Sequence, residues 1–102
     1  MKKILLLAAL YFGMATQLMA ANILVVGVTS GFPTETTTAV DAIGDPLGAG
    51  GHTVTKLVLI GPTAGQVATA LGAGSYDQLF IIDTGTSLLL DPADTAAIAT
   101  FW

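Results

Sequence analysis

Cysteine is absent from this 102-residue chain. Its absence excludes disulfides, thiolate metal sites and cysteine nucleophiles, so any fold rests on its core alone. Charge is scarce as well, with only three Lys and Arg residues together. Two of these are Lys2 and Lys3. Beyond them stands one base, Lys56, against seven acids: Glu35, Asp41, Asp45, Asp77, Asp83, Asp91 and Asp94. Residues 21–102 therefore carry six net negative charges. A surface of that sign repels phosphate backbones, which excludes nucleic-acid binding. Histidine occurs once, at His52. One histidine, at the sheet end away from the expected site, and no cysteine leave no Ser-His or Cys-His pairing with triad logic. Ser30, Ser75 and Ser87 have no evident base, and no metal site is indicated.

A long hydrophobic run is also missing. The apolar core from Ile4 to Ala15 is 12 residues, and a helical membrane span needs about 20. What is present instead has the order of a cleavable signal peptide: Lys2-Lys3, then Ile4 to Ala15, then the small pair Ala20-Ala21. Residues 1–20 are read as that signal, with cleavage after Ala20 and Leu18 at the third position back. No stable membrane span is expected after cleavage. The location is secreted or periplasmic. Residues 21–102 are read as one small domain of marginal burial.

Three apolar β-rich runs alternate with helical patterns. Asn22 to Val28 is apolar on both faces, as in a central strand covered on each side. Thr29-Ser30-Gly31-Phe32-Pro33 forms a turn. A first helix is predicted to start near Thr34 or Glu35, with Thr34 as cap. It is regular to about Ile43 and disturbed by Gly44, Asp45 and Pro46. Val40, Ile43 and Leu47 form its apolar stripe. The second strand spans His52 to Ile60, polar in its first half. Thr63 and Gln66 have the spacing of a capping box, ahead of a short helix that buries Val67 and Leu71. The third strand is Gln78 to Asp83. Asp91 caps the last helix, Pro92 takes its first position and Asp94 favours its positive end. Ala97/Phe101 and Ile98/Trp102 are its i,i+4 pairs.

A β-α-β-α-β-α order builds a three-layer α/β fold around a parallel sheet. The strand order is 3-2-1 or 2-1-3. The polar start of the second strand makes it an edge and favours 2-1-3. The third strand is then the other edge, although it is apolar throughout. It is expected to take a further strand, either from sequence beyond Trp102 or by self-association. On that reading the domain is the N-terminal part of a longer, flavodoxin-like one.

Ligands of open parallel sheets bind beyond the strand C-termini, at the switch point. The candidate crevice is lined by Thr29, Ser30, Gly31, Asp83, Thr84, Thr86 and Ser87. Its hydroxyls, glycine and helix N-terminus are suited to an anion, and equally to building a turn. Gly27-x-x-x-Gly31 is neither a Walker loop nor a dinucleotide fingerprint. Asp83 ends its strand like a phosphoacceptor aspartate. Val28-Thr29-Ser30, however, stands where such receivers need carboxylates for Mg²⁺. His52 falls at the opposite end of the sheet. No cofactor is indicated.

The segments NILVVGVTSGFP, GGHTVTKLVLIGPTAGQVATAL and YDQLFIIDTGTSLLLDPADTAAIATFW resemble the N-terminal half of class I glutamine amidotransferase-like domains, across nearly all of residues 22–102. The resemblance implies a flavodoxin-like α/β fold. That family's nucleophilic cysteine follows a later strand, so no catalytic residue is carried over to this chain. Many secreted members look like non-catalytic modules of surface proteins. The expectation is therefore a secreted, non-catalytic α/β module with a binding or structural role in a larger extracellular protein, in contact with its other domains. A second resemblance is to flavodoxin, through Thr29-Ser30-Gly31 and Thr34. It implies a binder of a phosphorylated small molecule, although Asp83 to Ser87 lacks the aromatic residue that would stack on a flavin. A third alternative is an enzyme whose catalytic residues lie in sequence beyond Trp102.

Overall fold

The computed structural model describes residues 19–85 and 89–102. The signal segment, apart from Met19 and Ala20, lies outside the described residues, as do Thr86 and Ser87. Six elements alternate: β1 (Asn22–Thr29), α1 (Pro33–Ala49), β2 (Thr53–Ile60), α2 (Gln66–Ala73), β3 (Gln78–Asp83) and α3 (Pro92–Phe101). The sheet is parallel, in the order β2-β1-β3.

β1 is central and covered on both faces. Ile23 to Thr29 are all buried. Alternation divides its side chains between two clusters. Ile23 and Val25 pack with Val40, Ile43 and Leu47 of α1 and with Val54 and Val58 of β2. Leu24, Val26 and Val28 pack on the other face with Val67 of α2, Ile98 of α3 and Leu57 of β2. Each such buried aliphatic side chain contributes about 1.5–3 kcal/mol relative to exposure. Gly27 admits the helix on the first face, since a Cβ there would stand 2.7 Å from Val40 Cγ2. That distance is too short for any real side chain.

Two helix starts differ from expectation. α1 begins at Pro33, with Phe32 at the cap position and no side-chain cap, so Thr34 lies inside the helix. α1 also continues through Gly44, Asp45 and Pro46 to Ala49. Packing overrides propensity there. Leu47 lies on the core, and Lys56 of β2 holds Asp41 at 2.8 Å and also binds Asp45. Gly44 makes room for the lysine stem, because a Cβ at Gly44 would meet Lys56 Cε at 2.6 Å.

The predicted Thr63/Gln66 box does not form. α2 starts at Gln66 after Gly65, which has φ +82°. Gln66 Oε1 accepts from the Ala64 amide instead. Thr63 is buried and its Oγ1 accepts from the Asp91 amide at 2.9 Å. The cap of α3 agrees with expectation: Asp91 Oδ1 accepts from the Asp94 amide at 2.8 Å.

Candidate functional site

The crevice residues that the structure describes do come together beyond β1 and β3. Thr29 is buried, and its Oγ1 accepts from the Phe32 amide at 2.8 Å and the Gly31 amide at 3.3 Å. The buried Thr36 hydroxyl donates to the Phe32 carbonyl at 2.6 Å and also bonds the Thr84 hydroxyl. Asp83 Oδ1 accepts from the Gly85 amide at 2.8 Å. Gly85 lies against Ser30, since a Cβ there would stand 3.2 Å from Ser30 Oγ.

This arrangement builds loops. The Gly31 and Phe32 amides, which an anion would need, already serve Thr29. Pro33 at the first helical position has no N–H to offer. The exposed Asp83 and Glu35 in the first turn of α1 add negative charge. The Asp83 carboxylate accepts hydrogen bonds only, which does not suit an anion. Of the two uses considered for these residues, the geometry favours turn building. His52 sits at the other end of the sheet, where its Nδ1 accepts from the Ala21 amide at 3.1 Å. Among the described residues, no three His, Asp or Glu side chains gather as a metal site.

A polar contact that sequence reasoning missed lies between α2 and α3. Asp94 is fully buried and its Oδ1 accepts from the Ala68 amide, three residues into α2, at 2.7 Å. It therefore caps α2 from another helix, where its charge meets the positive end of the dipole. Burial works to raise the Asp94 carboxyl. Hydrogen bonding from Thr63 and from the Ala68 amide outweighs it, and the net direction is down from 3.8. The sequence showed Asp94 as an ordinary first-turn acid, and nothing local marked its reach to another helix.

The open edge of β3 is the least satisfied surface among the described residues. Asp77 donates its amide to the Asn22 carbonyl at 2.7 Å. Thr84 donates its amide to the Val28 carbonyl at 3.2 Å, and alternation along the parallel ladder then turns the peptide groups of Leu79 and Ile81 to the open side. α1 covers mainly β1 and β2, which leaves Phe80 36% exposed. Beside the strand start is a groove of about 300 Å³ lined by Asp77, Gln78, Leu79, Phe80, Phe101 and Trp102. Trp102 is 86% exposed, with its ring edge-on to Phe101 at 6.0 Å. A second, shallower groove between α2 and α3 is lined by small residues such as Ala68, Gly72 and Ala96.

Sheet order, helix placement and site together define an α/β protein with a three-stranded 2-1-3 parallel sheet. Compared with known proteins, the chain matches no family model, no curated protein and no solved structure at a significant level.

Proposed function

We propose that this protein is an exported, non-catalytic α/β module that works by association, with the open β3 edge as its contact surface. The observation that carries the reading is that edge: an unpaired row of peptide groups between apolar side chains, next to an aromatic groove. Such an edge is a template for another strand. The strand could come from a second copy or from another domain of a larger extracellular protein. The resemblance to the non-catalytic, flavodoxin-like modules of the glutamine amidotransferase-like family points the same way. Export rests on Lys2-Lys3 and the apolar core after them. It is supported by where the sheet begins. Ala21 is tied to β2 through the Thr53 amide at 2.9 Å, so cleavage after Ala20 leaves every strand whole.

Two measurements test the reading. Mass spectrometry of the exported protein should find Ala21 at its start, and charged residues in place of Leu5, Leu6 and Leu7 should hold it in the cytoplasm. An exported form that still begins with Met1 removes the cleavage claim. Sedimentation at micromolar concentration should show association. A chain that stays monomeric and exchanges its Leu79 and Ile81 amides freely, alone or with added partners, removes the edge as a contact surface.

A further inference from the structure

The outer side of β3 has a direction and a centre, and both restrict what can pair with it. Leu79 and Ile81 turn their peptide groups outward, while those of Phe80 and Ile82 point to β1. Among the described residues nothing pairs with the outer side. Side chains alternate across the strand. Leu79 packs on the α2–α3 face and Ile82 on the α1 face, which places Ile81 with Leu79 and Phe80 with Ile82. The groove beside Leu79 is walled by Phe101 and Trp102. Phe80 is partly exposed on the opposite face. Gln78 to Ile82 carries no charge, so an identical strand meets this span without like charges opposed.

We infer that the occupant of the β3 edge is a second copy of this chain, paired antiparallel about a two-fold axis through Phe80, so that the two sheets become one. This rests on the reading of β3 as the contact surface and names its partner. A parallel ladder is staggered and cannot place two copies equivalently, whereas an antiparallel one can. With the axis at Phe80, Leu79 and the partner's Ile81 exchange both hydrogen bonds, and symmetry repeats the exchange. Both outward peptide groups are then satisfied. The partner's Ile81 side chain lies opposite Leu79, beside Trp102. The two Phe80 residues meet as a closely spaced, non-hydrogen-bonded pair with Cα atoms about 4.5 Å apart. An axis at Ile81 would bring the Asp83 carboxylate opposite Leu79, beside the aromatic wall, which disfavours it. An axis at Leu79 would carry Ile81 past the start of β3. At the Phe80 axis the exposed Asp83 falls level with the partner's Asp77, past each end of the apolar span, where water screens charge. A stable pair needs about 800 Å² from each copy, and buried aromatics contribute about 150–250 Å² each. Exposed Trp102 and partly exposed Phe80 supply the core of that area.

The chain has no cysteine, so a single introduced cysteine reads the pairing without interference. Gln78→Cys, Phe80→Cys and Ile82→Cys are made in turn in the full chain, and the exported proteins are oxidised mildly at micromolar concentration. Phe80→Cys should form a disulfide-linked dimer at least about tenfold faster than either neighbour, because only at the axis do the two Cα atoms fall within disulfide reach. Wild type should sediment as a dimer and nothing larger. Its Leu79 and Ile81 amides should exchange more slowly as concentration rises, a readout that stands even if a cysteine variant fails to fold.

A wild-type dimer whose Phe80→Cys variant cross-links no faster than Gln78→Cys or Ile82→Cys overturns the inference. The edge reading survives that result if the Leu79 and Ile81 amides are protected. Oligomers that grow without limit overturn the two-fold closure. A monomer overturns the inference as well. If a synthetic eight-residue Val/Ile/Thr peptide then protects the Leu79 and Ile81 amides, the edge reading stands, and if it does not, both fall together.

Discussion

The two flanks of β1 solve the same problem in different ways. A parallel sheet of three strands has two open edges, and each is a liability. On the β2 flank, exposed Thr53 and Thr55 begin the edge strand and Lys56 stands at its middle. That lysine is fixed by Asp41 and Asp45 of α1, so an exposed ion-pair cluster guards the edge. On the β3 flank the polar anchor is inside. Asp94 joins α3 to α2 beneath the sheet, while the edge itself runs Leu79-Phe80-Ile81-Ile82 with no charge between Asp77 and Asp83. One flank uses its charge against unwanted pairing. The other uses its buried charge for packing and leaves the strand available. That difference is why the contact surface is proposed at β3, and it makes each flank sensitive to a different substitution.

The largest effect is expected at Asp94. Asp94→Ala leaves the half-buried Ala68 amide without its acceptor and deprives α2 of its cap. A loss of about 1–2 kcal/mol follows from a half-buried donor left unsatisfied together with a lost cap. Chemical denaturation of the two proteins measures it. Asp94→Asn retains the acceptor and removes the charge, so its cost should be smaller. The pH dependence follows from the direction of the shift. The folded carboxyl lies below its ordinary 3.8. Its contribution is therefore complete above the unfolded value and disappears as the pH falls through the folded one. Between neutral pH and pH 2, wild type should lose more stability than Asp94→Asn. Identical acid profiles would show that the carboxylate does not anchor this flank.

Much of this architecture was legible in the sequence, because it follows from short-range patterns. The continuous apolar run Ile23 to Val28 marked a central strand. The polar start of β2 placed that strand at an edge, and Asp91-Pro92 marked the start of α3. The misreadings were tertiary. Gly44-Asp45-Pro46 carries every local signal of a broken helix, yet Lys56, 11 residues beyond Asp45, holds α1 intact. Thr63 and Gln66 have capping-box spacing, but Thr63 serves Asp91 and the cap of α2 comes from Asp94, 26 residues beyond Ala68. The crevice residues were found as neighbours because strand ends in a parallel sheet must converge. How Thr29 uses the Gly31 and Phe32 amides was not visible, since the same residues in sequence serve an anion or a turn equally well.

The next effect concerns association rather than folding. Phe80→Lys places on β3 the kind of charge that β2 carries at Lys56. Phe80 is partly exposed, so the fold should lose little. Self-association or strand addition should weaken at least tenfold, which corresponds to about 1.4 kcal/mol. Sedimentation with parallel thermal melts separates the two quantities. If association falls only as far as stability does, the edge is not the contact surface.

The smallest change in stability, and the most direct test of the comparison, is expected at Lys56. Lys56→Leu removes the charge that guards the β2 edge and leaves Asp41 and Asp45 facing each other. The hydrogen bonds that Lys56 donates to Asp41 and Asp45 raise its pKa from 10.5. Its contribution is thus complete below that value and is lost only as the pH rises through the folded one. Near neutral pH an exposed pair of this kind contributes little, so the melting temperature should scarcely move. The oligomeric state should move more. β2 already ends in the exposed Ile60, and with Leu57, Val58 and Leu59 beside a new leucine its edge approaches the composition of β3. A chain with two unguarded edges joins head to tail, through β2 of one copy and β3 of the next, and such contacts do not close into a dimer. Lys56→Leu should therefore form higher oligomers, and Lys56→Leu with Phe80→Lys should not. If the double variant oligomerises as readily as the single one, the two edges are not partners. Lys56 would then owe its place to holding α1 rather than to guarding the sheet.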